Sequence, residues 1–269
     1  MVEKSRSFKK INQSALYKFN QNYFRRLNDI YIDTSAVVEY LNLAANSKDQ
    51  TLLKRVPGNI QVPSDGGQAS VRRTPKQITE IFRIAAETGQ WEKSLTFAIS
   101  LTEDLVASYI KLILRAKPLL IMTSLKGNDA SVNVSLAEII KSGTEKVVED
   151  RVQQRVTGAI YASPEEYGKY LGALLQFEFP MPALGPYVET KARRDLIIHA
   201  GGFVNNIYLE KAKGYTQRAK TGDKISVDRI YFEESVRVMK RLANAIYKQA
   251  VKQYGDDVEI HNIIETKGI

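Results

Sequence analysis

The stretch Ala192 to Leu209, ARRDLIIHAGGFVNNIYL, places Arg194, Asp195 and His199 close together and follows them with a Gly pair. Histidine is the side chain best suited to moving protons near neutral pH, and arginine is suited to holding a phosphate and offsetting charge that grows on it. Asp195 and His199 are four apart, so on a helix surface the carboxylate can accept from one ring nitrogen and leave the other facing outward. Arg194 stands five residues before His199 and its long side chain reaches over the same face. Together these types would support acid and base chemistry at a phosphate.

Drawn as one continuous helix, residues 194–209 divide into two arcs. Arg194, Asp195, Ile198, His199, Gly202, Asn205, Asn206 and Leu209 share the arc expected to face outward, with Gly201 at its margin. Leu196, Ile197, Ala200, Phe203, Val204, Ile207 and Tyr208 form the arc expected to face the core. Inside a helix, Gly201 and Gly202 would each cost roughly 1 kcal/mol against alanine. They point to a close approach of backbone or ligand, or to a helix break. The blander reading of His199 is a satisfied surface histidine; the acidic neighbour, the Gly pair, the two Asn and the following Tyr weigh toward a site.

RRDLIIHAGGFVNNIYL resembles the signature helix of HEPN domains, in particular the prokaryotic type in which Arg, four to six residues, His, a Gly pair and a downstream Tyr occur in that order. WEKSLTFAISLTEDLVASYIKLIL (Trp91 to Leu114) is similar to the long first helix of that family, where an acidic residue commonly faces the signature Arg. YASPEEYGKYLGALL (Tyr161 to Leu175) and TGDKISVDRIYFEESVRVMKRLANAIYKQAVKQY (Thr221 to Tyr254) resemble its intermediate and final helices. The resemblance covers residues 91–254. It implies a compact helical bundle, usually a dimer, and often a metal-independent endoribonuclease. Two positions depart from the pattern: Ala200 stands where a polar residue is frequent, and Gly201 stands where some members carry a Tyr that a nucleotidyltransferase antitoxin modifies.

On that resemblance, a neutral His199 takes the proton of a ribose 2'-OH or gives one to the leaving 5'-oxygen, a role usually worth ~10² to 10⁴ in rate. Arg194 holds the phosphate, Asn206 binds substrate or orients His199, and Asp195, Gly201, Gly202 and Tyr208 support them. One chain supplies one histidine to the face, so separate acid and base roles require two chains. The expectation is an endoribonuclease acting as a toxin or anti-phage growth-arrest effector, with RNA as substrate and an antitoxin or defence-system protein as partner. The alternative is a catalytically silent HEPN module that binds a protein or a nucleotide.

Glu103 leads a stripe continued by Val106, Ile110 and Ile113, so it lies where its helix turns inward. A carboxylate there requires a partner. Arg194 is the obvious one, and the resemblance implies the same pairing; a surface carboxylate at the stripe's edge is the alternative, and Asp104 is expected to be solvated.

The chain has 269 residues with 39 Lys and Arg against 30 Asp and Glu, a formal charge of +9. That excess favours an acidic partner, nucleic acid or an anionic surface. Lys191 and Arg193 beside the motif, and Arg72 and Arg73, are the RNA-binding candidates. With no cysteine, disulfides and cysteine metal sites are excluded. The two histidines form no ligand spacing, and neither a Walker loop nor a Rossmann glycine pattern is present, so no metal and no cofactor are expected. The start, MVEKSRSFKK, has no apolar core and no window approaches ~18 apolar residues. The expected location is cytoplasmic, without membrane association.

The fold expected to carry these residues is all-α: a HEPN-like helical bundle with an additional N-terminal helical segment. Residues 1–75 read as a helical extension and loop, 76–254 as the HEPN-like domain and 255–269 as a C-terminal tail containing a surface His261. Within the extension, two helices are expected near residues 13–29 and 34–45, the second capped by Thr34 or Ser35. Residues 56–75, with three prolines and a Gly pair, read as a long loop or linker. Helical spacing resumes near Gln77, with breaks near 126–129, 142–143, 179–186 and 214–223.

Overall fold

A computed structural model describes residues 15–46, 59–123, 134–179, 181–215 and 219–267. Among them the chain is all-α apart from one small antiparallel hairpin. Helix α1 runs unbroken over Ala15–Asn46 and buries Leu16, Phe19, Tyr23 and Leu27 at helical spacing. Two shorter helices were expected here. Thr34 and Ser35 do not cap a second one, because their hydroxyls donate to the carbonyls of Ile30 (2.6 Å) and Tyr31 (2.8 Å) four residues back. Such bonding lets the helix continue through them, and Thr34 is buried against Ser94, oxygen to oxygen 2.6 Å.

The expected linker is a hairpin over its described part. Strands β1 (Asn59–Ser64) and β2 (Gly67–Arg72) pair antiparallel with Ser64 opposite Gly67, leaving Asp65 and Gly66 as a two-residue turn. Asp-Gly is a strong hairpin signal. Alternation confirms the register: Ile60 faces Val71 and Val62 faces Ala69, all four half-buried between exposed neighbours.

Helix α2 (Pro75–Ile84) starts at a Thr74–Gln77 capping box with Pro75 in its first turn. Through a π-helical turn (Ala85–Gly89) it runs into α3 (Gln90–Ala116), the central helix of the molecule. Trp91, Leu95, Ile99, Thr102, Val106, Tyr109, Ile110 and Ile113 of α3 are buried. Each large apolar side chain so enclosed contributes about 1.5–3 kcal/mol relative to exposure. Around α3 pack α1, α5 (Thr144–Tyr161), α6 (Pro164–Leu174), α7 (Met181–Ala200) and α9 (Arg229–Tyr254), while the short α4 (Leu136–Ser142) lies on α5. The break at Ser142 and Gly143 is present between α4 and α5. The break expected near 126–129 lies outside the described residues.

Residues 255–269 were expected to be a tail, yet Val258–Lys267 forms α10. Asp257 Oδ1 accepts from the backbone N–H of Glu259 (3.1 Å) and Ile260 (3.2 Å), and Ile260 and Ile264 are buried one turn apart against α3 and α1. His261 is not a free surface residue: its Nε2 lies 2.9 Å from the Gly255 carbonyl oxygen. The helices of residues 15–46 and 258–267 thus contribute buried residues to the same core as α3.

The largest departure concerns the motif helix. It ends at Ala200, because Gly201 and Gly202 adopt φ of +59° and +83°, where side chains other than glycine are strained. The chain then pairs with a distant segment: Ile225 N–H donates to Gly202 O (2.9 Å), Val204 N–H to Asp223 O (2.8 Å) and Gly222 N–H to Val204 O (2.9 Å). Asn205 caps the short α8 (Asn206–Lys211) by accepting from Tyr208 N–H at 2.9 Å. The two expected arcs therefore hold only up to residue 200, with Leu196 buried and His199 exposed. Beyond it Phe203 and Ile207 are exposed and Gly202 is buried.

Candidate active site

Two charged stripes run along α7 on different faces. Lys191, Arg194, Asp195 and His199 follow one another at three, four and eight residues from the first and so share a side. Glu189 and Arg193 form the second stripe, which faces the protein.

Glu103 on α3 is the anchor of the first stripe. Arg194 donates from Nη2 to both Glu103 carboxylate oxygens (3.4 and 3.3 Å), and the Lys191 ammonium lies 2.7 Å from Oε1. All three side chains are less than a fifth exposed. The inward position expected for Glu103 and its pairing with Arg194 are both present, while Asp104, one residue on, is two-thirds exposed and 3.9 Å from Arg26. Beneath this cluster lie Tyr167 and Tyr187, whose phenols burial pushes well above their ordinary range, with the Glu103 charge adding to the effect. The Lys191 ammonium stands 5.5 Å over the Tyr167 ring.

Asp195 was expected to orient His199. Instead its Oδ1 lies 3.2 Å from Arg194 Nε, and among the described residues no hydrogen bond joins it to His199. His199 is exposed in the last turn of α7. Both α7 stripe and Glu103 open into a cleft of about 510 Å³, lined also by the α5–α6 corner and by Lys211 of α8. Arg194 and His199 therefore share one cavity.

The other candidates lie elsewhere. Arg193 is spent on the fold: its Nε donates to Glu189 at 3.0 Å and its guanidinium stacks 3.8 Å from the centre of the Tyr231 ring. Tyr208 is buried and donates to Glu189 Oε1 at 2.7 Å, while Tyr231 donates to Oε2 at 2.6 Å. That buried carboxylate ties α7, α8 and α9 together. Asn206, past the helix break, accepts from Thr221 Oγ1 at 3.0 Å and does not line the cleft. Gly202 meets its own chain, since a Cβ there would sit 2.5 Å from Ile225 O, whereas Gly201 is open with only the Phe203 ring within 4 Å. Arg72 and Arg73 are exposed at the base of the hairpin, outside the cleft lining.

Sequence reading missed Tyr161, Glu165 and Lys211, which line the cleft from other elements. One signal was available: on α5 the buried residues Val152, Val156 and Ala159 define a stripe, and Tyr161 lies off it. No protein-family model, no curated protein and no solved structure matches the chain. Among the described residues no three His, Asp or Glu side chains gather as a metal site, and no helix is long and apolar enough to cross a membrane.

Proposed function

We propose that this chain is a HEPN-type endoribonuclease that cuts RNA through attack by the substrate's own 2'-OH, without a catalytic metal. The observation that carries the reading is the convergence of an exposed histidine and a carboxylate-anchored arginine on one cleft. Arg194 Nη2 donates to Glu103, and Nε, 3.2 Å from Asp195 Oδ1, is a buried donor without a hydrogen-bond partner among the described residues, so the guanidinium keeps donor capacity for a phosphate. Holding the cation before substrate arrives is the kind of preorganisation that stabilises charge growing on a phosphorane.

In the proposed step the 2'-oxygen bonds to phosphorus while the bond from phosphorus to the 5'-oxygen breaks. The 2'-OH proton goes to a neutral imidazole and the leaving 5'-oxygen takes a proton from a protonated one. The products are a 2',3'-cyclic phosphate and a free 5'-OH. His261 is engaged with the Gly255 carbonyl, so each chain offers His199 alone. We therefore place two copies around the substrate, one His199 acting as base and the other as acid. Ile198, Phe203 and Ile207, close to His199 in sequence, carry exposed apolar side chains that suit such a contact. Gly202, covered by Ile225 of its own chain, does not; Gly201 remains open.

The biological role we propose is a cytoplasmic toxin or anti-phage growth-arrest effector, held in check by an antitoxin or defence-system protein. The second reading, a silent module that binds a protein or nucleotide, draws on the fact that Glu103 and Asp195 already engage Arg194, so a phosphate must compete for it. Purified protein incubated with RNA separates the two. Cleavage that disappears in His199→Ala and Arg194→Ala supports the nuclease; binding without cleavage in the native chain supports the module.

A further inference from the structure

The charge of the cleft does not account for holding a polyanion. Its lining carries three cations, Lys191, Arg194 and Lys211, against three carboxylates, Glu103, Asp195 and Glu165, so the chain's net charge of +9 is not concentrated there. Opposed fields of this kind offset one another at the distance of an approaching strand. A nucleic-acid strand bound here needs a contact that does not depend on charge.

The α5–α6 corner that lines the cleft supplies one. Tyr161 ends α5, is 86% exposed and has no described side-chain hydrogen bond or ring contact, unlike the buried Tyr167 and Tyr187 of the same region. The corner beneath it is stiff. Ala162 is the C-cap of α5, Ser163 caps α6 at once through a reciprocal capping box with Glu166, and Pro164 occupies the first turn. An aromatic ring on a capped corner, lining the same cleft as an arginine and a histidine, matches the two sides of a nucleotide: planar base and charged phosphate.

We propose that Tyr161 is a stacking platform for a nucleobase of the strand whose phosphate lies at Arg194 and His199. This rests on the nuclease reading for the identity of the strand, and it assigns substrate binding to a residue outside the motif. Because stacking is tolerant of base identity, Tyr161 contributes affinity and register without strong sequence preference.

The test uses the full chain and a short single-stranded RNA, 2'-O-methylated throughout so that it cannot be cut and carrying 2-aminopurine as a fluorescent base. Native protein should quench the 2-aminopurine on binding. Tyr161→Ala should lose the quenching and weaken binding about 10- to 100-fold, the range that base stacking on an aromatic ring contributes. Tyr161→Phe and Tyr161→Trp should restore both, and an abasic nucleotide at the quenched position should weaken native binding without weakening Tyr161→Ala further. With unmodified RNA the loss in Tyr161→Ala should fall on KM rather than kcat. Equal affinity in native and Tyr161→Ala protein, or no binding of the oligonucleotide by native protein, overturns the proposal. Binding and quenching without cleavage would sink the nuclease reading and leave the stacking role standing; cleavage with unchanged KM in Tyr161→Ala would do the reverse.

Discussion

Glu103 and Arg194, ninety-one residues apart in the chain, meet through both oxygens of one carboxylate, at 3.3 and 3.4 Å. Lys191 shares that carboxylate at 2.7 Å, so a single anion holds two cations of α7 against α3. Removing it leaves two positive groups side by side in a site less than a fifth exposed. Glu103→Ala should therefore destabilise the protein by about 1–3 kcal/mol. Urea unfolding reads the loss, and a stability equal to native would mean that the cluster does not anchor α7. Arg194→Ala should be milder, since Lys191 still neutralises Glu103.

Arg193 and Arg194 are neighbours with opposite assignments. Arg193→Ala strips the buried Glu189 of its only cationic partner within hydrogen-bonding range among the described residues and removes the stack on Tyr231. The expected loss is about 2–4 kcal/mol, because the buried carboxylate keeps its bonds from Tyr208 and Tyr231 but loses its counter-charge. Melting should fall clearly in Arg193→Ala and only slightly in Arg194→Ala, while cleavage should fail in Arg194→Ala under conditions where it is folded. The reverse ranking would exchange the two roles.

How much of this was legible in the sequence varies with the range of the interaction responsible. The apolar stripe of α3 and the inward turn at Glu103 are local periodicities, and both can be read by counting residues. Where α7 stops is not local: the Gly pair was compatible with a continuing helix until Val204 found Asp223 and Gly202 found Ile225. The hairpin carries a local signal, Asp65 and Gly66 between two segments in which Ile60, Val62, Ala69 and Val71 alternate with polar residues or proline, but its prolines and second glycine are equally those of a linker. The helix after Asp257 is only about three turns long, and its Ile260 and Ile264 gain their meaning from α3 and α1, which no local pattern supplies. Of the site itself, Arg194, His199, Lys191 and Glu103 were legible; Tyr161 and Lys211 reach the cleft by folding.

The two glycines should respond unequally to substitution. Gly202→Ala combines φ of +83° with a Cβ placed 2.5 Å from Ile225 O, a backbone atom that cannot swing aside. Gly201→Ala meets nothing nearer than the Phe203 ring at 3.9 Å and bears only the left-handed strain. Losses of about 2–4 kcal/mol for the first and about 1–2 for the second are expected. Equal effects, read by denaturant midpoint, would mean that the 202–204 segment does not pair with 222–225.

Acid sensitivity should include a contribution from Asp257. Burial alone pushes its carboxyl up, but the bond from Lys117 at 2.6 Å and the N–H groups of Ile260 and Glu259 prevail and hold it below the usual value. A carboxyl depressed in the folded state contributes stability that is present above the unfolded value of about 3.9 and is lost as pH falls through the lower folded one. Asp257→Asn should remove that part of the pH dependence, and Asp257→Ala should loosen α10 by about 1 kcal/mol through the lost cap. An unchanged acid-unfolding slope in Asp257→Asn would contradict this.

The ends of the cut RNA bear most directly on the central claim. Purified protein should be incubated with a defined RNA in the presence of excess chelator, and the fragments analysed by mass. Expected are 5' fragments ending in 2',3'-cyclic phosphate, 3' fragments beginning with a free 5'-OH, no cutting of DNA or of RNA blocked at the 2'-oxygen, and no products from His199→Ala. Cleavage that requires added magnesium, fragments that carry a 5'-phosphate, or full activity in His199→Ala would contradict that claim.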